Sequence, residues 1–217
     1  DYPGDPQKAL KYAKKGSDAA DPICGLLYAS YSDISQDEKL ELLRKVRTQV
    51  SKMADANDSF ATLVLGACCF QARQYDEAQK ALSSYEKAGG VLAYEMLGLM
   101  KQYVKKQEKT ALIYYKKAVK NKIYHAYILM GDLYWKGGQY IVIGRRLGTV
   151  SYDCDNRARE CYKKATEHNQ GEAAYKLAET ISRTRQEERD YWFALAEKQG
   201  YIKDMRSWTS DIEEFNK

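Results

Sequence analysis

Residues 126–138 read Ala-Tyr-Ile-Leu-Met-Gly-Asp-Leu-Tyr-Trp-Lys-Gly-Gly, and this stretch decides the fold class. Ala126 and Gly131 stand five positions apart with bulky side chains between them. A helix built this way wants close contact with neighbouring helices on more than one side. The pattern recurs at Leu65-Gly66, Leu97-Gly98 and Leu177-Ala178, with an alanine five residues before each small residue, at Ala61, Ala93 and Ala173. Successive small positions lie 32, 33 and 47 residues apart, so the last interval contains an insertion.

A second pattern, Ala-x-x-x-aromatic-x-Lys-Ala, alternates with the first. It occurs at Ala81–Ala88, Ala111–Ala118 and Ala158–Ala165, with relatives at Ala9–Gly16 and Tyr191–Gly200. Two helix types alternating at a fixed period define a stack of helical hairpins, in which each repeat contacts its neighbours.

Taken in order, the chain opens with a second-type helix over Asp5–Lys15 and a first-type helix over Ala20–Tyr31. Ser35-Gln-Asp-Glu38 reads as a capping box, in which serine accepts an early backbone N–H and glutamate reaches back. It predicts a helix running to Ala54, and Asn57–Ser59 starts the next. Hairpins follow over Phe60–Arg73 with Tyr75–Ala88, closed by Gly89-Gly90, and over Val91–Val104 with Lys109–Lys120. Tyr124–Lys136 is expected to stop at Gly137-Gly138. Residues 139–153, β-branched and glycine-punctuated, read as an inserted loop or β-hairpin. Asp155–His168 resumes the second-type pattern. Gly171–Arg183 and Gln186–Lys198 form a last hairpin, with Thr184-Arg-Gln-Glu187 as a second capping box. Residues 201–215 read as a polar capping helix.

These alternating motifs resemble the Sel-like repeats, relatives of tetratricopeptide repeats. The best copies are Ala126–Tyr134 with Ala158–Ala165 and Ala93–Leu99 with Ala111–Ala118. The resemblance covers nearly the whole chain and is weakest over Ile34–Ser59. The usual glycine-rich turn is missing from the third pair, which has Lys105-Lys-Gln-Glu108. It implies an all-α, right-handed superhelical α-solenoid, one domain over residues 1–217 with about five hairpins.

Composition narrows the function. No run approaches the roughly 18–20 apolar residues of a membrane span, so a soluble protein is expected. The chain starts at Asp1, which suggests a processed or trimmed product. A removed secretory signal would place it in the bacterial periplasm, and otherwise the cytoplasm is expected. Phosphate-cradling loops, His-Glu-x-x-His and Gly-x-Ser-x-Gly are all absent, and the only histidines are His125 and His168. No cofactor, metal, small-molecule substrate or catalytic residue is implied. Five cysteines at irregular spacing make a poor disulfide framework and read mostly as small core residues. On one helix, Cys154 and Cys161 would lie roughly 10 Å apart, beyond bridging distance, and with His168 they would be spaced too far to share a metal ion.

A binding scaffold for another protein is therefore the expected function. In such arrays the first-type helices line a groove, which makes Tyr94, Glu95, Tyr127, Asp132, Tyr175 and Glu179 groove candidates, whereas Tyr115 and Tyr162 occupy the repeat's packing slot. The insertion offers Tyr140, Arg145, Arg146 and Tyr152, residue types enriched at interfaces. Proteins of similar repeat architecture include immunity proteins that neutralise lipase toxins of bacterial secretion systems, and an adaptor or inhibitor of that kind needs a shaped surface and no chemistry. The alternative is nucleic-acid binding through Lys101–Lys122, where eight lysines face the single Glu108 and Tyr103, Tyr114 and Tyr115 interleave.

Overall fold

Side-chain caps set where the first helices begin. Within the computed structural model, which describes residues 6–55, 58–143 and 149–201, α1 spans Pro6–Asp18 and α2 Pro22–Tyr31. Asp21 accepts the Cys24 N–H at 2.7 Å at the start of α2, with Pro22 in the first helical position, where its missing N–H costs nothing. The expected capping box opens α3, Gln36–Asp55: Glu38 N–H donates to Ser35 Oγ at 3.2 Å, and Ser35 N–H donates to Glu38 Oε2 at 3.0 Å. Asp58 then caps α4, Ser59–Gln71, by accepting the N–H groups of Phe60 and Ala61 at 2.9 and 3.0 Å.

The remaining helices are α5 (Tyr75–Lys87), α6 (Tyr94–Leu99), α7 (Glu108–Lys120), α8 (Ala126–Ile143), α9 (Thr149–Thr166), α10 (Gly171–Thr180) and α11 (Gln186–Lys198). No strand occurs among the described residues. Helix α6 runs on into a single π-helical turn, Met100–Val104. The expected second capping box does not form. Arg185 is the residue before α11 and makes no side-chain cap, so Thr184 lies one position too early and its hydroxyl pairs with Ser182 Oγ at 2.9 Å.

Residues 139–153 also depart from expectation. Helix α8 passes through Gly137-Gly138 to Ile143, and α9 begins at Thr149, so the described part of the insertion lengthens two helices and forms neither an open loop nor a hairpin of strands. Glycine and β-branched residues lower helix propensity by at most about 1 kcal/mol each, which an established helix can carry. The expected capping helix over 201–215 lies outside the described residues beyond Tyr201.

Most turns close without glycine. Ala20, Arg73, Lys106, Lys122 and Asn169 take the left-handed conformation just past a helix end, with φ between 53° and 64°. Lys106 supplies that conformation in the third pair, where the sequence offers no glycine. After α5 the position belongs to Gly89, φ 88°, and Gly90 N–H donates to Tyr85 O at 2.9 Å.

The chain divides within α7, between Ala111 and Leu112, into two compact units. In the first, consecutive helices from α1 to α6 pack against one another around Leu43, Val46, Val50, Leu82, Leu97 and Met100. In the second, α8 packs on α9, α9 on α10 and α10 on α11, around Ile128, Ala158, Tyr162, Ala165, Ala173 and Leu177. This all-α succession of hairpins is the architecture that the Sel-like resemblance implies. The recurrent small residues work as close-approach points. A Cβ on Gly66 would lie 2.6 Å from Leu82 Cδ2, and one on Gly131 would overlap the Tyr162 ring.

Gly131→Ala should therefore lose about 1–3 kcal/mol of stability through overpacking, although alanine is the better helix former. Gly89→Ala should lose about 1 kcal/mol through backbone strain alone, because no atom lies within 4 Å of the added carbon. Urea denaturation of both variants checks the two values. A neutral Gly131→Ala would contradict the packing account.

Candidate functional site

Among the described residues, a connected set of interacting polar side chains lies inside the second unit. Gly131 lets the ring of Tyr162, from α9, lie against the backbone of α8, and the phenol then reaches the next residue. Tyr162 Oη donates to Asp132 Oδ1 at 2.7 Å. The other carboxylate oxygen accepts from Lys176 Nζ, on α10, also at 2.7 Å. Lys176 lies 3.4 Å from Glu172 Oε1 one turn away, and His125 Nε2 stands 3.9 Å from Glu172 Oε2. Tyrosine, aspartate, lysine and glutamate thus tie α8, α9 and α10 together.

The electrostatics follow from this arrangement. Burial opposes the Lys176 ammonium, yet the Asp132 and Glu172 carboxylates outweigh it and raise its pKa above the ordinary lysine value. Burial first, and then the Asp132 charge, push the Tyr162 phenol upward as well. Both groups keep their protons near neutral pH, so neither offers a base or a nucleophile there. The arrangement orders helices.

This placement changes the meaning of Asp132. Expected at a groove, it is buried with both oxygens occupied. Tyr127 packs against the core cluster, and Tyr175 meets Phe193 and Tyr201 with ring centres 5.2 and 5.0 Å apart. Glu179 is exposed at the end of α10, whereas Tyr94 and Glu95 are half-buried in the first turn of α6. Tyr140 lies on α8 and Tyr152 on α9, while Arg145 and Arg146 fall outside the described residues. Tyr115 and Tyr162 are core residues, as their packing slot implies. Lys176 and Glu172 went unnoticed in the sequence. The available signal was Asp132 itself, a carboxylate directly after a glycine that must face another helix.

Several other chemistry-bearing residues among those described sit in structural settings. Burial pushes the Cys68 thiol up to about 12 and the Cys161 thiol to about 11, as expected of inert core cysteines. Cys68 donates to Leu43 O at 3.1 Å. His168 stacks flat on Tyr124, ring centres 3.4 Å apart. In the lysine-rich stretch, Tyr115 is fully buried and Lys117 sits 5.0 Å over the Tyr114 ring. Among the described residues no helix is long and apolar enough to cross a membrane, and no group of three His, Cys, Asp or Glu side chains is placed to hold a metal ion.

No family model matches the chain. No curated protein matches it either. Among solved structures it is similar to the crystal structure of a Sel1 repeat protein from Oxalobacter formigenes. That match has 22% identity over 89% of this chain and 80% of that chain, with a TM-score of 0.48.

Removal of the central carboxylate by Asp132→Ala should cost about 1.5–3 kcal/mol, the range for hydrogen bonds to charged groups. A double-mutant cycle with Lys176→Met should show coupling above about 0.5 kcal/mol. Both raised pKa values favour the protonated forms in the folded state. Their stabilisation is complete below the ordinary lysine and tyrosine values, about 10, and is lost as pH climbs above them. Thermal melts between neutral and strongly alkaline pH should fall more steeply for the parent chain than for the double variant.

Proposed function

We propose that this chain is a non-enzymatic protein-binding scaffold and, within that class, an inhibitor of the immunity type that occludes a secreted bacterial toxin such as a lipase effector. The observation that carries the scaffold reading is the apolar stripe on α2. Ile23, Leu27 and Tyr31, spaced four residues apart along one face, remain 39%, 41% and 40% exposed although α2 already packs on α1, α3 and α4. Apolar and aromatic side chains held at fixed spacing on a rigid helix are suitable anchors for a protein partner. The buried network fits the same reading, because Asp132, Lys176 and Glu172 bind one another across the helices of the second unit.

The inhibitor reading adds the α8–α9 hairpin. Its two helices are each 18 residues long, against 13 for α4, α5 and α7, and the segment connecting them contains Arg145 and Arg146. With Tyr140 in α8 and Tyr152 in α9, the sequence of this hairpin would supply aromatic area and positive charge to a partner. Such a combination serves to enter and block an acidic or apolar cleft. Tyr94, Glu95 and Glu179 would add contacts from the first-type helices.

Tagged chain, incubated with nuclease-treated lysate of its source, should retain one protein at both low and high salt. Leu27→Asp, and separately Arg145→Glu with Arg146→Glu, should each weaken that complex by about ten-fold or more, equivalent to about 1.4 kcal/mol, without loss of helicity. If the retained protein is a hydrolase, stoichiometric chain should abolish its activity. A complex lost to nuclease, or falling steeply with salt, would replace this reading with nucleic-acid binding. Retention unaffected by either variant would refute the assigned surfaces.

A further inference from the structure

A cleft between α9, α10 and α11 takes no part in the buried network or in the surfaces above. It has a volume of about 330 Å³ and lies over Ile181, with Arg159, Glu160 and Lys163 on one wall and Arg185 and Glu188 on the other. That volume is at the small end of ligand pockets, which run from about 300 to 1,000 Å³. It holds a side chain and its immediate backbone.

The charges in the cleft are unequally compensated. Arg185 and Glu188 form an ion pair with each other. Arg159 is held in place by the end of α10, its Nη2 donating to Thr180 O at 2.7 Å and its Nε to Thr180 Oγ1 at 3.3 Å. Both acceptors are neutral, so the guanidinium is oriented without being neutralised. Among the described residues the side chains of Lys163 and Glu160 have no hydrogen-bond or ion-pair partner. Two cations therefore stand against one carboxylate. Arg159 and Lys163 are one helical turn apart, on the same face of α9, where both can meet a single anion. The rest of the Arg159 fork suits a planar carboxylate, and its fixed position reduces the ordering cost on binding.

We infer that this cleft binds an acidic residue in an extended peptide segment. Its carboxylate pairs with Lys163 and the open edge of Arg159, and a backbone N–H of the same segment donates to Glu160. The inference rests on the scaffold reading for the class of partner, and names the chemistry recognised at one point of its surface.

The full chain, labelled with ¹⁵N, can be titrated with the blocked peptide acetyl-Gly-Asp-Glu-Gly-amide and with its uncharged counterpart acetyl-Gly-Asn-Gln-Gly-amide. The acidic peptide should give saturable shifts concentrated at residues 156–163 and 177–188, and the amide peptide should bind about ten-fold more weakly or worse. Lys163→Glu should reduce acidic-peptide affinity by a similar factor, with Lys163→Gln between it and the parent. Lys45→Glu, a change at an exposed lysine on α3, should leave the affinity unchanged. Equal binding of the two peptides, shifts spread over exposed lysines at large, absence of saturation, or an indifferent Lys163→Glu would each overturn the inference. None of those outcomes bears on whether the chain retains a protein from lysate, so the two readings fail separately.

Discussion

Close approach between paired helices is the constraint on which the structure depends. Where Gly66 and Gly131 remove a Cβ, Leu82 and Tyr162 of the following helix occupy its place. Gly25 does the same for Val46, whose Cγ2 would lie 2.7 Å from an added carbon. The large side chain of one helix thus rests on the backbone of another, at the density of a protein interior. Two helices can meet this way only in one register, because a shift by one residue would put a Cβ where the ring must go.

The buried ionic group follows from that contact. Tyr162 reaches Asp132 because its ring crosses the backbone at Gly131, and Asp132 in turn fixes the Lys176 ammonium. Charges taken from water contribute little net stability unless all their hydrogen bonds are made, but once made they penalise every other arrangement strongly. The second unit therefore carries an internal check on the order of α8, α9 and α10.

Much of this was legible in the sequence. Period, helix type and the small-residue positions are written in Ala61–Gly66, Ala93–Gly98 and Ala126–Gly131, because a missing side chain is a steric instruction wherever it occurs. The Ser35–Glu38 box was equally readable, since all its atoms are local. The Thr184 box failed for want of one residue of register, which depends on where α11 packs and not on the motif. Turns at Arg73, Lys106 and Lys122 were invisible, because tertiary packing imposes a conformation these residues do not prefer. The described part of the 139–153 segment departs from a loop or hairpin for a different reason: Gly137-Gly138 and the β-branched residues Ile141, Val142, Ile143, Thr149 and Val150 favour a break only weakly, and α8 and α9 run through them. The candidate site was the least legible part. Asp132 was found as an isolated charge, but its partners Tyr162 and Lys176 are 30 and 44 positions away, and no local pattern links them.

The π-helical turn at Met100–Val104 bears on how such a chain can change length. A π turn contains one more residue than the α turn it replaces and returns the chain to the same helical direction. The interval from Gly98 to Gly131 is one residue longer than that from Gly66 to Gly98, and the turn lies inside it. An extra residue at this point is taken up as a bulge within one helix, so the chain can lengthen by one without opening a loop. A strict residue count is therefore not needed for the helix types to alternate.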